Sequence, residues 1–271
     1  MINFEDAGVP FAIVRSNDDL VDGIRSRSGK QKSPIVLYAT REPHPEGFDS
    51  IDLADMKLND HYLEMIPNFE SPERTYLAGA TGCGKTSTIV NRMLAYKEFF
   101  PNNPIYFLSL VEQDDVLDDW EDLFERIPTD ESIIGSQFDM EQMRDSLVVM
   151  DDCDVHPDPK IRKALDALMN NILVRGRHFR ISLYCVGHVV CNGASTNLAL
   201  TQASEIVFFP FHMVPAKLRY LAENHIGLGK EHLRYIMGHE PMSTSITLKR
   251  GASALPIIVG NTFAFIVKPQ F

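Results

Sequence analysis

The chain has 271 residues, of which 44% are hydrophobic and 23% charged, and a formal net charge of −11. That size holds one large α/β domain, or one domain with a smaller appendage, and the composition is that of an ordinary soluble globular protein. No apolar run approaches the length that crosses a bilayer, the N-terminus lacks a basic-then-apolar signal pattern, and four cysteines do not make a disulfide framework. An intracellular, soluble protein without a transmembrane segment is the expectation. The net charge argues against a nucleic-acid partner only in sum, because its distribution is uneven. Segment 114–131 carries nine acids against one base, and segment 160–180 carries six bases against one acid. Each run reads first as a solvated helix face, with a basic stripe for DNA as the alternative.

Residues 1–72 read as a small β-rich N-terminal element. Short apolar runs at 9–14 and 35–38 are separated by the loop 26–30 and by a proline-bearing stretch at 42–47. From Arg74 onward predicted strands and helices alternate, the pattern of a mostly parallel sheet covered on both faces, which makes 73–271 one domain. A short buried strand at 75–78 leads into Gly79-Ala80-Thr81-Gly82-Cys83-Gly84-Lys85-Thr86 and then a helix over 85–99. The octapeptide matches G-x-x-x-x-G-K-[ST], the loop that wraps the phosphates of a nucleoside triphosphate. Its glycines let consecutive backbone N–H groups turn onto phosphate oxygens, and the helix aims its positive dipole end at the anion. Lys85 is expected between the β- and γ-phosphates and the Thr86 hydroxyl on Mg²⁺. Ser87 completes the candidate nucleotide-binding set 79–87, with ATP and Mg²⁺ as the cofactors.

Further strands are predicted at 104–110, 146–150, 180–186 and 205–209, with an acidic helical segment after the first of these and a helix over 160–174 after the second. Two short helices near 215–223 and 230–237 precede closing antiparallel strands at 245–248, 255–259 and 263–267. The strand at 147–150 delivers Asp151 and Asp152 at its C-terminal end, where ligands bind in open α/β sheets. Asp151 is the candidate Mg²⁺ ligand and Asp152 the candidate base that polarises water for in-line attack. The bland alternative is a turn pair after a strand. Cys185, His188 and Cys191 form a grouping that hints at metal, but buried reduced thiols are the better reading. Arg175, Arg177 and Arg180 precede the fourth strand, where they either balance a helix dipole or reach a neighbouring subunit's site.

The 79–86 loop, the Asp151-Asp152 pair, the helix ending in Arg175-Gly176-Arg177-His178 and the strand 181–186 with a polar residue beyond it resemble the FtsK–HerA superfamily of ring-forming DNA translocases. The likeness covers about residues 74–210 and is greatest to the genome-packaging ATPases of double-stranded DNA viruses. It implies an additional-strand, RecA/FtsK-like P-loop NTPase fold and ATP-driven movement of double-stranded DNA into a preformed capsid. It also implies a homo-oligomeric ring, pentamer or hexamer, docked on a capsid vertex or membrane component, with host cytoplasm, viral factory and virion as locations. In that pattern Arg177 acts in trans, with Arg175 and Arg180 as rivals, and His188 stands where relatives carry a glutamine-like sensor. Asp152 stands where many carry Glu. A cellular HerA- or FtsK-like translocase or helicase, a nucleotide-gated scaffold with little turnover and a plain nucleotide kinase are the alternatives.

Overall fold

The computed structural model describes residues 1–21, 23–26, 34–42, 47–111, 113–135, 139–191, 194–238, 245–251 and 255–268. The loop 26–30, apart from Ser26, and most of the proline-bearing stretch at 42–47 fall outside the described residues. In chain order the N-terminal strands are β1 (Ile2–Asn3), β2 (Val9–Ser16), β3 (Leu20–Val21), β4 (Ile24–Arg25), β5 (Ile35–Ala39), β6 (Ser50–Asp52) and β7 (His61–Met65). Then come β8 (Arg74–Ala78), helix α1 (Lys85–Phe99), β9 (Ile105–Ser109), α2 (Asp115–Asp118), β10 (Glu125–Ile127), β11 (Leu147–Asp151), α3 (Pro159–Arg175), β12 (Ser182–Gly187) and α4 (Ala194–Gln202). The chain continues through β13 (Glu205–Phe208), α5 (Pro215–Leu221), α6 (Lys230–Gly238), β14 (Ile246–Lys249), β15 (Ile257–Val259) and β16 (Phe263–Ile266).

Ten strands form the main sheet in the order β10-β9-β11-β12-β8-β13-β14-β15-β16-β6, parallel from β10 to β13 and antiparallel beyond. The fold class read from the sequence is the one observed: a mostly parallel sheet with helices on both faces. Alternate residues of β11 explain how both faces are filled. Leu147 and Val149 enter the apolar cluster beneath α1, whereas Val148 and Met150 enter the cluster beneath α3. The strand inserted between β8 and the carboxylate strand β11 is β12; β9, which lies between them in sequence, sits outside β11. Helix α3 begins where the Asp158 carboxylate accepts from the Lys160 and Ile161 amides and Pro159 occupies the first turn. Its buried stripe is Ile161, Leu165, Leu168 and Ile172.

One expectation is corrected. The acidic segment after β9 is not a continuous helix: α2 spans four residues, two short 3₁₀ turns follow it, and Glu125–Ile127 pairs in parallel with β9. Asp114 and Asp130 accept amide hydrogen bonds at turn starts, the local use that makes Asp a poor helix-interior residue. In the N-terminal element, β1, β5, β2 and β7 do form their own antiparallel sheet, but β6 pairs with β16 at the edge of the main sheet. Ile2, Phe11, Leu37 and Leu63 share one apolar cluster with Ile257, Val259 and Ile266, so the core runs across residue 72.

Candidate functional site

The 79–86 loop leaves the C-terminal end of β8, whose Leu77 and Ala78 are fully buried. Gly79 N–H donates to the Gly187 carbonyl at 3.1 Å, which moors the loop to the end of β12. A Cβ at Gly79 would lie 2.5 Å from Cys83 Sγ and 2.6 Å from the Phe209 ring, and Gly82 and Gly84 hold φ of +76° and +99°. The glycines are therefore required by a close approach at the first position and by left-handed backbone at the others. The Cys83 side chain is buried in the same apolar cluster as Phe209, and burial pushes its thiol up. Helix α1 starts at Lys85, whose ammonium donates to the Gly79 carbonyl at 3.0 Å.

Strand register brings three more groups to the same end of the sheet. Asp151 lies opposite Ser109 on β9 and Val186 on β12. Ser109 Oγ donates to Asp151 Oδ2 at 3.3 Å, a contact that sequence reasoning missed although the serine lies in the strand predicted at 104–110. Asp152 turns out of the strand with φ +52° and ψ +22°, a left-handed conformation that Asp tolerates better than most side chains, and its N–H donates to Val186 O at 3.1 Å. His188 Nε2 lies 2.9 Å from Asp152 Oδ2, and its Nδ1 lies 3.5 Å from Lys85 Nζ. An ammonium offers only protons, so Nδ1 faces it with its lone pair and Nε2 carries the proton donated to Asp152. The structure thus joins Lys85, His188 and Asp152 in one chain of contacts, with Asp151 beside it.

The carboxylates fit a hard divalent cation. Burial, then the Asp152 charge, pushes the Asp151 carboxyl up to about 6, and Asp152 Oδ1 is buried without a hydrogen-bond partner. With the Thr86 hydroxyl these are oxygen donors of the kind Mg²⁺ prefers. The raised value has a stability consequence. The native state holds the Asp151 proton more tightly than the unfolded chain, so that stability is fully present below the ordinary Asp value near 4 and is lost as pH rises through about 6. Asp151→Asn, measured by thermal unfolding without Mg²⁺ or nucleotide, should therefore stabilise the protein by about 1–3 kcal/mol at pH 7.5 (estimated from the size of such a displacement) and by nothing near pH 4. A variant no more stable than wild type at the higher pH would contradict this account of Asp151.

The arginine segment lies elsewhere. Arg175 ends α3, Arg177 lies in the 3₁₀ turn 176–179, and both precede β12, whereas the 79–86 loop follows the far end of its neighbour β8. Six residues of β12 at about 3.3 Å each put roughly 20 Å between the two ends. Burial and then the charge of Arg177 hold the Arg74 guanidinium down, which places Arg177 beside the first residue of β8. Arg180 forms a two-pronged ion pair with Asp145, and the Arg175 guanidinium lies 5.7 Å from the Phe179 ring centre. Arg177 is exposed and, among the described residues, makes no ion pair. Cys185 and Cys191 are buried, with both thiols pushed up by burial, while His188 is engaged with Asp152.

Fold and loop together define a P-loop ATPase. Residues 52–172 match the family model of the type III restriction enzyme, res subunit. B204, the DNA-packaging ATPase of Sulfolobus turreted icosahedral virus, has a TM-score of 0.50 at 13% identity, covering 74% of this chain and 99% of that one. The pCW3 conjugation coupling protein TcpA, solved as a monomer with ATPgS, has a TM-score of 0.50 at 13% identity over 89% of this chain and 76% of its own. A Sputnik virophage protein, Uncharacterized protein V3, is 29% identical over 188 residues, 68% of this chain and 74% of its own. The likeness to B204 and to TcpA is one of fold. Among the described residues no helix is long and apolar enough to cross a membrane.

Proposed function

We propose that the protein is the ATPase of a viral genome-packaging motor, working as a ring whose subunits complete one another's active sites while double-stranded DNA passes through. The observation that carries this reading is the placing of Arg177, exposed and some 20 Å of strand away from its own 79–86 loop. An arginine so placed has no route to its own nucleotide but is free to enter a neighbour's. Likeness to B204 over nearly all of that packaging ATPase supports the same reading.

Loop amides and Lys85 hold the β- and γ-phosphates, and Ser87 extends the set along α1. The Thr86 hydroxyl and the Asp151 carboxylate would hold Mg²⁺, which supplies charge neutralisation on those phosphates. Asp152 polarises the attacking water, with one of its oxygens fixed by the His188 N–H. His188, between Lys85 and Asp152, is placed to sense the γ-phosphate. Arg177 of one subunit neutralises charge developing on the neighbour's γ-phosphate. Lys160, Arg162 and Lys163, within the first five residues of α3, are candidates for DNA phosphates, which are gripped without reading sequence.

The test is ATP hydrolysis with and without duplex DNA, for wild type, Arg177→Ala, Asp152→Asn and a mixture of the two variants. Arg177→Ala should lose about 10³-fold in turnover, in the range measured for arginine fingers. The mixture should recover a measurable share, because some interfaces pair an intact loop with an intact arginine. Near-wild-type turnover by Arg177→Ala would rule out the role in trans. A wild type that binds ATP without turnover would favour the scaffold.

A further inference from the structure

A cavity of about 310 Å³ opens beside the phosphate loop, and no motif accounts for it. One wall is α1 itself, through Gly84, Ser87, Thr88 and Asn91, the helical face that follows Lys85 and Thr86. The opposite wall comes from the N-terminal element, through Leu20, Gly23 and the 62–65 segment of β7, and the closing strands add Thr247 and Val259. Its volume sits at the lower end of the roughly 300–1,000 Å³ of small-molecule sites.

The charges around it indicate what it admits. Glu64 lines the cavity, but its carboxylate is held by Arg15 at 2.7 Å and by Arg25 at 3.3 Å. Arg92 lines it too, and its guanidinium is spent on Glu205. Both charges are compensated within the wall, so the cavity offers no counter-ion to a charged occupant and suits a neutral, partly polar one. Tyr62, only 7% exposed, also lines it, and its hydroxyl lacks a hydrogen-bond partner. The wall is braced to the helix that carries the phosphate loop. The Arg25 N–H donates to Asn91 Oδ1 at 2.7 Å, Asn91 Nδ2 donates to Gly23 O at 3.2 Å, and Arg15 pairs with Glu98 at 2.8 Å.

We propose that this cavity receives the nucleoside half of the nucleotide, a purine-sized base with its ribose, so that the N-terminal element supplies the base-binding wall. The inference rests on the reading of the 79–86 loop as the phosphate site. A neutral group tethered to a polyanion is what a cavity with compensated charges next to an anion-binding loop accommodates. It gives the first 72 residues a task in nucleotide recognition and makes discrimination among bases depend on β3 and β7.

The experiment compares binding of ATP and of inorganic tripolyphosphate, which has the phosphates without the nucleoside, to wild type, Leu20→Trp and Tyr62→Phe. Wild type should prefer ATP. Leu20→Trp, which fills the cavity, should weaken ATP at least tenfold and leave tripolyphosphate within about twofold. Tyr62→Phe should weaken ATP alone, by about fivefold, the share of one hydrogen bond. Should Leu20→Trp weaken both ligands alike through misfolding, the shape-preserving Tyr62→Phe decides: loss for ATP only supports the site, unchanged binding overturns it. Wild-type ATP affinity in both variants overturns it as well. A wild type that binds neither ligand sinks the phosphate-site reading itself, a result distinct from one that binds both equally, which sinks only the nucleoside pocket.

Discussion

Replacing Asp152 by asparagine should reduce ATP turnover about 10²- to 10⁴-fold, the usual share of a positioned acid–base group, and leave nucleotide affinity within about threefold. The substitution separates chemistry from architecture. Asparagine is at home in left-handed backbone, so the φ of +52° at this position is retained at little cost. Its side-chain oxygen can still accept from His188 Nε2, now 2.9 Å from the carboxylate. What disappears is the negative charge that would polarise the attacking water. Steady-state hydrolysis with parallel nucleotide titration measures both quantities. Turnover within about fivefold of wild type would show that Asp152 serves only to hold His188. Asp152→Ala should instead lose stability as well, by about 1–2 kcal/mol, because alanine pays for the same backbone without a local hydrogen bond.

Lys249→Met should destabilise the fold by about 3–5 kcal/mol, as expected when one partner leaves a buried ion pair. Lys249 is only 2% exposed and lies between two carboxylates, 2.9 Å from Glu73 and 2.6 Å from Glu205. Arg92 of α1 closes the network on Glu205 and donates to Thr247 at 2.9 Å, and Tyr184 donates to Glu73 at 3.2 Å. Burial opposes the Glu205 charge, but Lys249 and Arg92 outweigh it and hold that carboxyl down at about 2. Burial and the neighbouring Glu205 push Glu73 up. Without the ammonium, two carboxylates share one guanidinium in a site that excludes water. Urea titration of Lys249→Met beside Lys249→Met/Glu73→Gln checks the cause: the second change should recover more than half of the loss. Absence of any recovery would mean that lost packing, not unbalanced charge, carries the cost.

How much of this was legible in the sequence follows from how local each feature is. Strand, glycine loop and helix around Lys85 are consecutive, so spacing alone revealed them. Asp151 and Asp152 end one apolar strand and were equally readable. His188 could be named from its place after β12, but its position between Lys85 and Asp152 depends on β12 lying beside β8, which no spacing reports. Ser109 meets Asp151 only through parallel register. The buried network draws Arg92, Glu205 and Lys249 from three separate elements and Glu73 from the segment before β8, the first and last 176 positions apart, and each looks like an ordinary surface charge in the sequence. Glu125–Ile127 was hidden by its acids, because strand pairing with β9 overrides local preference.

The main sheet begins at β10 and ends at β6, two strands of three residues each, one carrying Glu125 and Arg126 and the other Asp52. Short, charged outer strands are poor templates for another chain's backbone, so the sheet is guarded against growing strand by strand into a neighbour. In the ring proposed above, copies joined along this sheet would therefore meet through side chains. A seam of that kind can loosen and re-form with every turnover, whereas a shared hydrogen-bond ladder would weld the subunits into a fibre.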